Sequence, residues 1–230
     1  MAITFKTLPK GSTIGSGSYI FRHYGNEAPP DYLCFTAEQA GSTVAMAVKR
    51  TPTKGQAFEY STDGSNWSVF TPRTTKITLT NVGDKVYFRG DNTTVSESSS
   101  IYYKFVMSGK IAASGNIMSL LDKTCQSTTI SNNYCYSNIF YGCTSLTTAP
   151  SLPATTLANN CYMDMFYGCT SLQVYSSSKT GHDKAWPIPT NGRASSYTSQ
   201  NNMFYNCPGS YRTTTSVSLN RTFYTQNTPV

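Results

Sequence analysis

The chain has 230 residues, 38% of them hydrophobic, with a formal net charge of +7 and only 13% charged side chains. That apolar share supports a real core in one large or two small domains, and the low charge leaves solvation of the surface to Ser, Thr, Asn and Tyr. The basic residues are scattered, with nothing denser than Lys49-Arg50, and no run of 18 apolar residues occurs. These features exclude the concentrated basic stripe of a nucleic-acid binder and an apolar membrane span.

Residues 1–31 are rich in Gly, Ser and Pro and end in Glu27-Ala-Pro-Pro30, which reads as an extended N-terminal arm. A frayed terminus and an anchor that orders on a partner both fit it. Met1 to Lys10 lack the charged head and apolar stretch of a secretory signal, so export by that route is not expected.

Residues 32–107 carry a β pattern. Phe58 and Tyr60 lead into the turn signal Ser61-Thr-Asp-Gly64, and Trp67, Val69 and Phe70 follow. Ile77 and Leu79 alternate with polar residues, Val82-Gly-Asp84 turns the chain, and Val86 and Phe88 alternate in turn. Ile101, Tyr103 and Phe105 make a last strand. Short strands at this spacing argue for a small β-sandwich of the Ig-like kind.

Residues 108–230 contain a repeat. Ile139-Phe-Tyr-Gly-Cys-Thr-Ser-Leu146 recurs as Met165-Phe-Tyr-Gly-Cys-Thr-Ser-Leu172, an offset of 165 − 139 = 26 residues. Met203-Phe-Tyr-Asn-Cys207 is a degenerate third copy, set back by an insertion near 175–200. A period in the twenties lies in the range of leucine-rich units, which bury their apolar side only by stacking. Leu157, Cys161 and Met165 fall at i, i+4, i+8, which predicts a helical turn or two ended by Gly168. Val174 can begin a short strand, and Pro150 and Pro153 keep their loop out of helix. Stacking then sets Phe140 over Phe166, Cys143 over Cys169 and Leu146 over Leu172 as a dry column. The stretch Ile111–Ile130 is expected to cap one end of the stack, and residues 197–223 the other.

The Met-Phe-Tyr-Gly-Cys-Thr-Ser-Leu block, with Ala149-Pro-Ser-Leu-Pro-Ala154 between copies, resembles the BspA-type leucine-rich repeats of gut Bacteroidales surface proteins and of their phages. Phe58-Glu-Tyr-Ser-Thr-Asp-Gly64 through Val82-Gly-Asp-Lys-Val-Tyr-Phe88 is similar to the β-domain that often precedes them. The resemblance covers roughly residues 33–175. It implies display and binding to host surfaces, proteins or glycans, without catalysis. The few units and the missing export signal set this chain apart from the bacterial members and favour a phage virion component.

Seven cysteines, an odd number with no Cys-x-x-Cys pair, and two histidines, His23 and His182, argue against a disulfide framework and against a metal site. The repeat thiols read as small apolar side chains. His182-Asp183 has no nucleophile motif beside it and reads as a surface loop, and Asp122, Asp164 and Asp183 give no clear glycosidase pair. Tyr141, Tyr167 and Tyr205 remain as binding candidates, because the inward turn of Phe140 and Phe166 leaves the following ring facing out. The same rings can instead simply cover neighbouring coils, the commoner role of such a row. No cofactor is expected.

The sequence therefore predicts a mixed, mainly β chain: an arm, an Ig-like sandwich and a short leucine-rich solenoid. Its expected role is a virion head or tail fibre or capsid decoration, homo-oligomeric and attached to other virion proteins by the arm. A bacterial cell-surface adhesin and, further off, a glycan-active enzyme are the alternatives.

Overall fold

The computed structural model describes residues 30–50, 53, 56–190 and 199–226. The protein is mainly β, and among the described residues its one helical element is a 3-10 turn at Ile117–Leu120. The expected arm lies outside the described residues except for Pro30 and Asp31, as does part of the insertion, residues 191–198.

The first seven strands are β1 (Leu33–Ala37), β2 (Ser42–Lys49), β3 (Phe58–Ser61), β4 (Ser68–Phe70), β5 (Lys76–Leu79), β6 (Lys85–Arg89) and β7 (Tyr102–Ser108). Alternation explains most of them. In β2, Val44 and Met46 are buried while Thr43 and Ala45 are partly exposed; in β5, Ile77 and Leu79 are buried between exposed Lys76 and Thr78. The β3–β4 hairpin is closed by Asp63, whose carboxylate accepts the backbone N–H groups of Asn66 and Ser65 and the Asn66 side-chain amide. Those bonds hold its carboxyl well below the usual carboxylate range.

Two sheets form from these strands and their successors. One has the order β4-β3-β6-β1-β8-β9, where β8 is Ile111–Ser114 and β9 is Leu146–Thr148; the other is β5-β2-β7. They pack face to face through aromatic rings in edge-on contact. Phe35 of β1 and Phe88 of β6 meet Phe105 of β7 at 4.8 and 5.2 Å, and Phe58 meets Tyr103 at 5.4 Å. The first sheet does not stop at residue 107. β8 pairs antiparallel with β1 from Cys34↔Ser114 to Ala37↔Ile111, and β9 adds in parallel to β8. One continuous cluster of buried apolar side chains runs from Leu33 to Phe223.

The helical turn expected over Leu157, Cys161 and Met165 is not formed. All three side chains are buried, but the backbone runs through overlapping β-turns. Within one copy the N–H groups of Ser137, Ile139, Tyr141 and Cys143 each close a turn on the carbonyl three residues back; Met163, Met165, Tyr167 and Cys169 do the same in the next. The intervening N–H groups leave the copy. Tyr136, Asn138, Phe140 and Gly142 donate to the carbonyls of Cys161, Met163, Met165 and Tyr167 at 2.8–3.0 Å. This alternation requires a left-handed residue every fourth position: Tyr134, Asn138 and Gly142 in one copy, Asn160, Asp164 and Gly168 in the next. Asn, Asp and Gly tolerate that conformation, which no helix interior allows. The spacing of four was thus real, but it marked turns.

β10 (Val174–Tyr175), β14 (Arg221–Thr225) and β11 (Lys184–Ile188) make a third sheet in that order, and β12 (Ser199–Asn201) pairs with β13 (Ser216–Ser218). The insertion therefore contributes structure: Trp186 of β11 is buried against Phe166, Phe204 and Phe223. One end of the stack of turns rests on β7, where Phe105 N–H donates to the Ile139 carbonyl. The Ile111–Ile130 stretch stacks on the same coil at that end, the N–H groups of Ile111, Ile117 and Ile130 donating to the carbonyls of Ser145, Ser151 and Thr156, and its β8 is in turn continued by β1. At the other end, residues 211–215 cover the third copy through Asn206 N–H to Arg212 O and Asn202 N–H to Thr215 O.

Candidate functional site: a tyrosine row over a buried column

The backbone bonds between copies bring equivalent side chains into register. Phe105, Phe140, Phe166 and Phe204 form one column, with ring centroids 5.5, 5.2 and 5.8 Å apart and planes within 22° of parallel. Cys143, Cys169 and Cys207 form a second column beside it. Each thiol lies within hydrogen-bonding reach of the carbonyl of the phenylalanine one rung earlier: Phe105 at 3.2 Å, Phe140 at 3.1 Å and Phe166 at 2.9 Å. The expectation of inert apolar thiols missed this weak donor, and no sequence signal marks it. Leu146 and Leu172 are fully buried, Leu146 as the first residue of β9.

Burial sets the electrostatics of this interior. It pushes the Cys143 thiol up to about 12 and Cys135 up to about 11, and drives Cys161 and Cys169 well above the ordinary thiol range. Cys34 in β1 is raised for the same reason. Such thiols are protonated and shielded at neutral pH, which makes them poor nucleophiles. All seven cysteines are free.

On the outer side, Tyr141, Tyr167 and Tyr205 stand in line and half-buried. Tyr141 and Tyr167 stack at 4.9 Å with planes 6° apart, and Tyr167 and Tyr205 at 5.2 Å and 19°. The Lys104 ammonium of β7 lies 5.4 Å from the Tyr141 ring centroid, extending the row by one cation. Neighbouring rings cover each other's faces, so the row offers ring edges and hydroxyls along its length. Burial raises the Tyr141 hydroxyl above its ordinary value, so the phenol is a neutral donor at physiological pH.

The remaining candidates are dispersed. His182 packs edge-on to Tyr175 at 4.8 Å, with Nδ1 3.3 Å from the Thr180 carbonyl, while Asp183 is exposed. Asp122 is taken up by the loop after it, accepting the N–H groups of Thr124, Gln126 and Ser127. Asp164 sits half-buried at a left-handed turn position, and that burial raises its carboxyl pKa. Among the described residues no group of three His, Cys, Asp or Glu side chains is placed to hold a metal ion, and no helix is long and apolar enough to cross a membrane. Sequence reasoning passed over one constellation: Glu38, Lys85, Lys110 and Lys184, far apart in the chain, line a common cleft.

Taken together, these features define a mainly β protein that carries stacked turns with an external aromatic row. Comparison with protein-family models, with curated proteins and with solved structures finds no match for the chain.

Proposed function

We propose that this chain is a structural display protein of a phage virion, a head or tail fibre or a capsid decoration, that contacts the host surface or its glycans. In this reading residues 1–31 attach it to other virion proteins, and the assembled form is a homo-oligomer. The finer architecture belongs to the same proposal: an Ig-like sandwich followed by a short leucine-rich solenoid of the BspA type.

The observation that carries the reading is the tyrosine row on a rigid support. Three phenols at nearly constant spacing, fixed by backbone bonds between copies, form a preorganised surface whose side-chain ordering cost was met in folding. Aromatic side chains with a polar tip are common anchors at interfaces. Shielded, protonated thiols beneath them suit a scaffold better than a reactive centre.

The test has two arms. Immunogold labelling with an antibody against this chain should decorate virions from the source; labelling confined to the bacterial envelope would point to a cell-surface adhesin instead. Tyr141→Ser combined with Tyr167→Ser should weaken binding of the protein to host cells about tenfold or more, while the loss of the two stacked pairs lowers stability by about 1–3 kcal/mol. Unchanged binding would remove the row from the proposal, and turnover of a polysaccharide would replace the display role with an enzymatic one.

A further inference from the structure

The outer face of the β5-β2-β7 sheet lies open beside the tyrosine row. Val44 and Met46 of β2, Ile77 of β5 and Phe105 of β7 turn inward, so their neighbours along each strand turn out. The register sets Lys76 beside Ala45 and Ala45 beside Val106, Ala47 beside Lys104, and Lys49 beside Tyr102. Small side chains keep the face flat, and its cations are Lys49, Lys76 and Lys104. None of the three makes an ion pair among the described residues, and none of the three strands carries a carboxylate. The Lys104 ammonium joins the sheet to the row, 5.4 Å from the Tyr141 ring centroid. Strands in a sheet lie about 4.8 Å apart, and the tyrosines continue that spacing at 4.9 and 5.2 Å. The result is a shallow ribbon across three strands and three tyrosines, cationic at one end and phenolic at the other.

Charge selects what lies on it. A second copy brings a net charge of +7, and residues 1–29 set Lys6, Lys10 and Arg22 against Glu27 alone, so both have the wrong sign. The partner is therefore anionic. Val106 is the one exposed large apolar side chain on this face among the described residues, too little to enter a lipid surface. The stacked tyrosines cover each other's faces, which leaves nucleic-acid bases no ring to stack on. What the row offers is hydroxyls at intervals close to the length of one sugar in an extended chain. The Asp164 carboxyl also acts on the Tyr102 and Tyr141 hydroxyls, but it is half-buried and bonded to the Asn202 side chain. It belongs to the second copy, so the partner's anionic groups fall on the lysines.

We propose that this face binds a β-linked polysaccharide of carboxylated sugars, laid across the strands with its carboxylates on Lys49, Lys76 and Lys104 and its hydroxyls on the tyrosine row. The inference rests on the proposed contact with host glycans and names the class of glycan. The full chain is titrated at low ionic strength with a polymannuronate oligomer, a neutral cello-oligomer of equal length, single-stranded DNA and phosphatidylglycerol vesicles. The polymannuronate should bind saturably, shift the backbone amides of Ala45, Val106 and Tyr167, and bind about tenfold or more tightly than each of the others. Its affinity should fall as salt is raised. Lys76→Gln with Lys104→Gln should weaken it about tenfold or more with the melting temperature unchanged. Lys85→Gln with Lys110→Gln, an equal loss of charge in the cleft of the other sheet, should leave it intact. Equal weakening by both pairs would reduce the effect to net charge and overturn the proposal. So would DNA, vesicles or the cello-oligomer binding as tightly, or no saturable binding of the polymannuronate. If Tyr141→Ser with Tyr167→Ser abolishes host-cell binding while the polymannuronate does not bind, this inference falls and the display role stands.

Discussion

At Cys143, Cys169 and Cys207 one small side chain fills a corner and places its thiol against the preceding phenylalanine carbonyl. Because burial raises the thiol pKa values of Cys135, Cys143, Cys161 and Cys169, the folded state keeps its protons at pH values where the unfolded chain loses them. Stability is therefore fully present below the ordinary thiol value of 9.0 and is lost as pH climbs through the folded values, about 11 for Cys135 and about 12 for Cys143. At about 1.4 kcal/mol per pKa unit, several such groups remove several kcal/mol together. Thermal melts should be nearly level from pH 6 to about 8 and fall steeply above about 9; a level profile to about pH 11 would contradict dry thiols. Gly142 tests the backbone in the same way. Its φ is +71°, a Cβ there would meet nothing, and the third copy has Asn206 at φ +61° in the same place. Gly142→Asn should cost less than about 1 kcal/mol and Gly142→Val at least about 1–2 kcal/mol more, read from urea denaturation. Equal costs would mean that the left-handed turn is not required.

The elements were unequally legible. The strands at Phe58, Ile77, Val86 and Tyr103 could be read because large apolar residues alternate there with polar ones. β2 was passed over because Ala45 and Ala47 blur its alternation, although Val44 and Met46 mark its inner face. The register of the repeat was visible in the eight-residue blocks, yet its conformation was not. A spacing of four lies close to the helical period, and the decisive signal was the turn-forming Asn138, Gly142, Asp164 and Gly168 at the same spacing. The strand of Trp186, just past the His182-Asp183 stretch that reads as a surface loop, was not legible, since nothing local tells that β14 pairs with it from 33 or more residues away. The cleft of Glu38 and the lysines was illegible for the same reason: pairing of β6, β1 and β8 assembles it. The phenylalanine column gives this scale its prediction. Phe166 contacts Phe140, Phe204 and Trp186, so Phe166→Ala should cost about 3–5 kcal/mol and Phe166→Leu distinctly less. Similar small losses for both would show that the column is loosely packed.

At the scale of the whole molecule, the repeat is built onto the sheets and not merely tethered to them. β8 and β9 complete the first sheet, and Phe105 of β7 serves as the rung before Phe140. The two halves share one core, so they should unfold in a single transition, with tyrosine fluorescence and far-ultraviolet circular dichroism melting together. The most direct test of the architecture is a cross-linking measurement in a Cys125→Ser background, which removes the one thiol that is not buried. Paired cysteines at 141 and 167, or at 167 and 205, lie on adjacent rungs and should oxidise readily to a disulfide. A pair at 141 and 205 spans two rungs and should not, because a bridge needs Cα atoms within about 7 Å. Ready closure of the 141–205 pair, or failure of 141–167, would contradict the stacking on which the whole account stands.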